Sequence, residues 1–71
     1  MFQIHQFGDA MVMAKNSEVR YGPSPSDQIV FKMGEGLKVY VMDEREGWSR
    51  IYVASGETGW IQDEKIAKVN E

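Results

Sequence analysis

Apolar and polar side chains alternate with a period of two over much of the chain. The alternation runs through Gln28–Met33, Leu37–Met42 and Trp48–Val53, and Thr58–Gln62, after a hairpin signal, is predicted as a further strand. A period of two is typical of a β-strand that buries one face. Met11–Ala14 differs because it is apolar without interruption, which predicts a strand buried on both faces. The pattern therefore predicts five strands.

Residues that favour turns separate these strands. Gly34 and Gly36 permit positive φ between the second and third predicted strands. A charged turn at Asp43–Gly47 precedes the fourth strand, and Ser55 with Gly56 is a hairpin signal before the fifth. The spacing of turns and strands is typical of a small sandwich or barrel.

One long loop and one helical turn complete the predicted order of elements. The loop is Glu18–Asp27, whose two prolines disfavour both a helix and a central strand. The helical turn is Asp63–Ile66, with Asp63 as its N-cap, and a last strand segment at Ala67–Val69 follows it. A loop of this length inside a small domain is uncommon unless it is functional or disordered.

The length of 71 residues allows one modest core. We predict an all-β fold, a small five-stranded barrel over residues 10–71, preceded by a flexible tail at residues 1–9. The apolar residues of the tail could also add a strand or pack on the barrel. With no cysteine in the chain, stability depends on packing alone.

Charge and hydropathy exclude several classes of partner. The net charge is −3, and eight Lys and Arg stand against eleven Asp and Glu without a basic cluster. Nucleic acid and an anionic membrane surface are therefore disfavoured as partners. The longest apolar run is too short to cross a bilayer, and the first residues lack the features of a signal peptide. The sequence by itself assigns no compartment.

Catalytic and metal-binding chemistry is sparse. His5 is the only histidine and lies in the predicted tail, so neither a nucleophile with its base nor a multi-histidine metal site can be assembled. The carboxylates lie in turns beside other charges rather than in apolar pockets that would suit acid–base work. Asp43–Gly47 lacks the ligand spacing of a calcium loop. We expect no enzymatic activity, no cofactor and no metal.

The aromatic residues are the strongest candidates for a functional site. We predict a ligand-binding groove at Arg20, Tyr21, Trp48, Tyr52 and Trp60. The alternative is core packing, because a small barrel also needs bulky residues. The groove is favoured for Trp48, the two interpretations are equal for Trp60, and a surface packing role is favoured for Tyr52.

An ordered set of short motifs resembles the bacterial SH3 (SH3b) domain over about Ala10 to Ile66. These motifs are Val19-Arg20-Tyr21-Gly22-Pro23-Ser24, Met33 with Gly36, Val39 with Val41, Gly47-Trp48-Ser49-Arg50-Ile51, and Gly56 with Gly59-Trp60-Ile61. The resemblance implies a five-stranded barrel whose loop after the first strand, here Glu18–Asp27, flanks a ligand groove. Tyr21 in this loop also resembles the SH3-type domains behind tetratricopeptide repeats in bacterial aerotolerance-type envelope proteins.

The family resemblance implies a noncatalytic binding module for a cell-wall peptide, including peptidoglycan, or a protein segment. Relative to the eukaryotic SH3 pattern, Trp48 occupies the position of the groove tryptophan, but the acidic aromatic motif and the groove proline are missing. We therefore do not expect polyproline recognition. In the predicted groove, Arg20 and the acidic turn Asp43–Glu46 set polar specificity.

The resemblance also favours the cell envelope over the cytoplasm, with any membrane association made through a parent protein. We expect the isolated domain to be a monomer. The alternative function is a structural or assembly module that docks on another domain of its parent protein or self-associates through a sheet edge and the apolar tail.

Overall fold

Antiparallel strands dominate residues 8–69, the part of the chain that the computed structural model describes. The elements are β1 (Gly8–Val12), β2 (Ser17–Arg20), β3 (Ile29–Met33), β4 (Lys38–Arg45), β5 (Trp48–Tyr52), β6 (Thr58–Gln62), a 3₁₀ helix (Asp63–Lys65) and β7 (Ile66–Lys68). The strands form one seven-stranded sheet in the order β3-β2-β6-β5-β4-β1-β7. All neighbouring pairs are antiparallel.

Every strand contributes to a single apolar cluster. The buried members of this cluster are Ala10, Val12, Val19, Met33, Val39, Val41, Ile51, Val53, Ile61 and Ile66. Because strands from one edge of the sheet to the other meet at the same cluster, the sheet curls around its core. The predicted all-β, SH3-like fold is confirmed.

The number of strands is larger than predicted. Ser17–Arg20 forms β2, whereas the sequence predicts a loop from Glu18 onward because the prolines that follow outweigh the short alternation before them. Gly8 and Asp9, assigned to the tail, are the first residues of β1. The rest of the predicted tail, including His5, lies outside the described residues.

The first predicted strand is buried on one face only. Val12 is fully buried, whereas Met11 and Met13 are 42% and 53% exposed. The apolar run therefore reflects ordinary alternation in which two methionines occupy the outer positions. The prediction of burial on both faces was wrong.

The turn between β4 and β5 fixes the start of β5. Arg45 pairs with Trp48, so only Glu46 and Gly47 form the loop. Their φ angles are 48° and 88°. Two consecutive positive φ angles are the signature of a type I′ turn, whose twist matches that of the flanking strands. This turn places Trp48 at the first position of β5.

The 3₁₀ helix is tied to β5 rather than capped by its own first carboxylate. Gln62 occupies the N-cap and makes no side-chain capping bond, so the prediction of Asp63 as N-cap was wrong. The Asp63 carboxylate instead accepts a hydrogen bond from the hydroxyl of Ser49, which is fully buried in β5. The backbone N–H of Asp63 also donates to the carbonyl of Gly47 at 2.9 Å. These bonds hold the helix beside Trp48.

Candidate functional site

A mostly polar depression lies where β2, the following loop, β5 and the 3₁₀ helix meet. Its volume is about 260 Å³, and it is lined by Asn16, Glu18, Arg20, Pro25, Trp48, Gln62 and Lys65. We call it the Trp48 depression. Trp48 supplies its aromatic surface, while charged or amide side chains form most of the rest.

Trp48 lies on the outer face of the sheet. Its neighbours along β5, Ser49 and Ile51, are fully buried on the core side, and Trp48 itself is not a member of the core cluster. It is nevertheless only 8% exposed. A buried indole outside the core provides a rigid apolar wall, which suits contact with a ligand.

Arg20 lines the same depression, but its guanidinium is already engaged. One terminal nitrogen donates to the carbonyl oxygen of Asp27 at 2.7 Å, and the other contacts the Glu18 carboxylate at 2.5 Å. The side chain is 18% exposed. Arg20 therefore fixes the loop that borders the depression, and its remaining hydrogen-bonding capacity for a ligand is reduced.

The loop after β2 is held in one conformation by its own backbone. The N–H of Tyr21 donates to the carbonyl of Gln28 at 2.9 Å, and the N–H of Asp27 donates to that of Ser24 at 3.0 Å. At Gly22, an added Cβ would lie 2.9 Å from the Asp27 carboxyl carbon. The close approach at Gly22 keeps the loop narrow, so Pro25 reaches the rim of the depression.

Trp60 lies beside the depression and is covered by arginine. It pairs across the sheet with Arg50 on one side and Arg20 on the other, and it is 8% exposed. The guanidinium of Arg45 lies over its ring, 5.8 Å from the centroid. Like Trp48, Trp60 is outside the core cluster.

A β-bulge in β4 explains why Arg45 reaches this face. Val41 pairs with Ile51 on the core side, and the register then shifts so that Asp43 pairs with Arg50 on the outer side. The extra residue, Met42, reverses the alternation. Strict alternation from Val41 would have placed Arg45 on the core side.

The structure separates the other two predicted site residues from Trp48. Tyr52 lies at the far end of β5, about 13 Å along the strand at the usual rise per residue, and pairs with Tyr40. It borders a second, shallow depression with Tyr40, Asp9 and other residues. Tyr21 is 67% exposed and does not line the Trp48 depression. The geometry thus brings together Arg20, Trp48 and Trp60 only.

Several lining residues were missed by sequence reasoning. Asn16, Glu18, Gln62 and Lys65 come from four different elements, so no local motif marks them. Within the predicted acidic turn, Asp43 accepts a hydrogen bond from the N–H of Glu44 at 2.8 Å. The bulge that positions Arg45 over Trp60 has no clear sequence signal.

Two further observations limit the chemistry of the described region. Residues 8–69 contain no group of three or more acidic or histidine side chains placed to hold a metal ion. Within the same range, no helix is long and apolar enough to cross a membrane.

A curled antiparallel sheet with a short 3₁₀ helix before its last strand, and a tryptophan on the outer face, defines the class of SH3-like barrel domains. Comparison with known families agrees: the model of the bacterial SH3 domain matches residues 14–68. The chain belongs to the bacterial SH3 domain family, whose members are binding modules.

One curated relative is a much longer protein, of which only a small part matches this chain. The chain is 30% identical over 64 residues to the protein of Bacillus subtilis (strain 168) named "Putative N-acetylmuramoyl-L-alanine amidase YrvJ". The match covers 90% of this chain and 12% of that protein. No solved structure matches the chain. The narrower likeness to aerotolerance-type proteins stays a prediction.

Proposed function

We propose that this domain is a noncatalytic module that binds a peptide of the bacterial cell wall in the Trp48 depression. The observation that carries the proposal is the position of Trp48, a nearly buried indole that is not part of the core cluster and walls a depression of about 260 Å³. The name of the relative, "Putative N-acetylmuramoyl-L-alanine amidase YrvJ", supports a cell-wall ligand and an extracytoplasmic location.

The shape and polarity of the depression favour a peptide over a compact apolar ligand. Gln62 and Asn16 bring amide groups to the lining, and Glu18 and Lys65 bring charges of both signs. Side chains of this kind donate hydrogen bonds to peptide carbonyls and accept hydrogen bonds from peptide N–H groups, while the indole of Trp48 contributes the apolar contact area. An extended peptide segment offers both kinds of partner.

Binding to purified peptidoglycan and to soluble stem peptides tests the proposal. We expect Trp48→Ala to weaken binding at least tenfold, because aromatic residues in desolvated pockets dominate binding free energy. Tyr52→Ala is the matched control, since it removes an aromatic side chain from the same strand but from a different depression. We expect it to bind as the parent does.

Because Trp48 is nearly buried, its removal also tests folding. Circular dichroism of Trp48→Ala must first show a folded domain. Chemical-shift mapping on the unaltered chain gives an independent measurement, with the largest changes expected at the Trp48 indole N–H, Gln62 and Lys65. Absence of binding by the folded parent, or shifts confined to the region of Tyr52, would contradict the proposal.

A second candidate function is docking on another domain or self-association. The observation that favours it is the exposure of Tyr40 and Tyr52, which pair across β4 and β5 and are 48% and 45% exposed. Exposed aromatic pairs of this kind are frequent at protein interfaces. Light scattering tests self-association. If the domain self-associates through this surface, it is a dimer and Tyr40→Ser makes it a monomer. We expect the parent to be a monomer.

A further inference from the structure

The outer face beside the Trp48 depression carries two arginines without carboxylate partners among residues 8–69. The ion pairs in that range join Arg20 to Glu18, Lys38 to Asp9, and Lys68 to Glu44. None of them uses Arg45 or Arg50, and both of these residues are exposed. The two guanidinium groups are therefore accessible to a ligand.

These arginines are positioned rather than free in solution. Arg45 pairs with Trp48 across β4 and β5, and its guanidinium lies over the Trp60 ring at 5.8 Å from the centroid. Arg50 pairs directly with Trp60 across β5 and β6. Both residues are thus neighbours of Trp60 on the outer face, and contact with the aromatic face restricts the rotamers of Arg45 before any ligand binds.

The charges around the two arginines are mixed in sign. Glu18 and Lys65 both line the adjacent depression, and Asp43 pairs with Arg50 across β4 and β5. No ion pair among residues 8–69 joins Asp43 to Arg50, so both guanidinium groups keep donors for an anionic ligand. A positive group beside negative ones fixes where an anionic group of a ligand binds. Guanidinium groups match the planar geometry of a carboxylate through paired N–H donors.

We infer that Arg45, which lies over Trp60, and Arg50, its neighbour on the outer face, form a subsite for a carboxylate of the bound peptide. This inference rests on the proposed function and deepens it, because it specifies an acidic peptide whose backbone lies in the Trp48 depression. The peptide carboxylate contacts the guanidinium groups of these two arginines beside Trp60. A neutral peptide of the same length lacks this contact and binds more weakly.

The test compares two forms of one synthetic cell-wall stem peptide, one with free carboxylates and one with every carboxylate amidated. Titration calorimetry on the unaltered chain is expected to show at least fivefold tighter binding of the acidic form. Arg45→Gln and Arg50→Gln are each expected to remove most of that difference. Binding of the amidated form should hardly change in either variant.

Lys38→Gln provides the matched control. Lys38 is an exposed cation on the same strand as Arg45, at the opposite end of β4, and its contact with Asp9 spans 3.9 Å. We expect this variant to retain the parent's preference for the acidic peptide. Arg45→Lys separates charge from geometry: it keeps the charge but loses the paired donors, so an intermediate preference is expected.

The outcomes distinguish this inference from the proposed function. Equal affinity for both peptide forms, together with loss of binding in Trp48→Ala, would overturn the carboxylate subsite and leave the Trp48 depression in place. An equal loss for both forms in Arg45→Gln and Arg50→Gln would also overturn the subsite, because it would show a packing role. Displacement of the acidic peptide from these arginines by inorganic phosphate at the same concentration would assign the site to phosphate instead. Failure of both forms to bind would reject the proposed function itself.

Discussion

The guanidinium of Arg45 lies over the indole ring of Trp60, although β5 separates their strands in the sheet. The side chain crosses β5 on the outer face, beside Trp48, its pairing partner. This arrangement requires the bulge at Met42, because the bulge turns Arg45 outward. The extra residue in β4 therefore places Arg45 beside Trp48 of β5 and over Trp60 of β6.

We predict that Gly59→Ala destabilises the domain. Its Cβ would run into the Val19 side chain and lie 3.1 Å from the carbonyl oxygen of Arg20, both in the neighbouring strand β2. Overpacking at a strand contact costs about 1–3 kcal/mol. Urea unfolding measures the loss. Gly34→Ala is the control, since no atom lies within 4 Å of its Cβ position; a similar loss there would show that the effect is not steric.

Glu46→Asn is expected to stabilise the fold. Glu46 has a φ of 48° in the type I′ turn, a region that asparagine tolerates better than glutamate. The gain in the free energy of unfolding should be about 0.5–1 kcal/mol. Thermal and urea unfolding provide the measurement. Glu35→Asn, at an exposed turn residue without positive φ, should leave stability nearly unchanged.

The partly buried hydrogen bond between Ser49 and Asp63 should contribute to the stability of the fold. Ser49→Ala removes the donor to a carboxylate and should lower the free energy of unfolding by about 1–2 kcal/mol. Hydrogen exchange at the N–H of Asp63 should become faster, because the 3₁₀ helix loses one of its attachments to β5. Ser55→Ala removes an exposed hydroxyl that contacts Glu57 at 3.3 Å, and it should have little effect on either measurement.

Arg20→Gln tests whether Arg20 fixes the loop after β2. The variant loses the charge-assisted bond to the Asp27 carbonyl, so stability should fall by about 1 kcal/mol. The amides of Tyr21 and Asp27 should exchange faster than in the parent. Lys15→Gln, which removes an exposed cation from the turn before β2, is the stability control. Unchanged exchange in the loop would show that its backbone bonds are sufficient.

Much of the sheet could be predicted because burial follows the alternation. In the fourth predicted strand, Ser49, Ile51 and Val53 are buried, and Arg50 and Tyr52 are exposed, as expected. The prediction failed where a neighbouring signal was stronger. The prolines of the loop outweigh the short alternation of β2, and Met11 and Met13 are exposed although their apolar character predicts burial.

The candidate site was less predictable because it depends on register. Trp48 could be proposed from its place after a glycine and from the alternation of β5. The position of Arg45 over Trp60 could not, since it follows from a single bulge whose location depends on how β4 and β5 pair. The residues that line the Trp48 depression come together only through the order of strands in the sheet.

The pairing of β1 with β7 has a mechanical consequence. Ala10 pairs with Lys68, and the N–H of Val69 donates to the carbonyl of Asp9 at 2.8 Å, so the described chain enters and leaves at neighbouring points. Tension applied at these two points acts along the hydrogen bonds of an antiparallel pair, which are perpendicular to the strands. The bonds would then break one after another, as a zipper opens. Tension on the domain would peel β1 from β7 first, while Arg20 lies on β2, next to the opposite edge of the sheet, and Trp48 lies on the central strand β5.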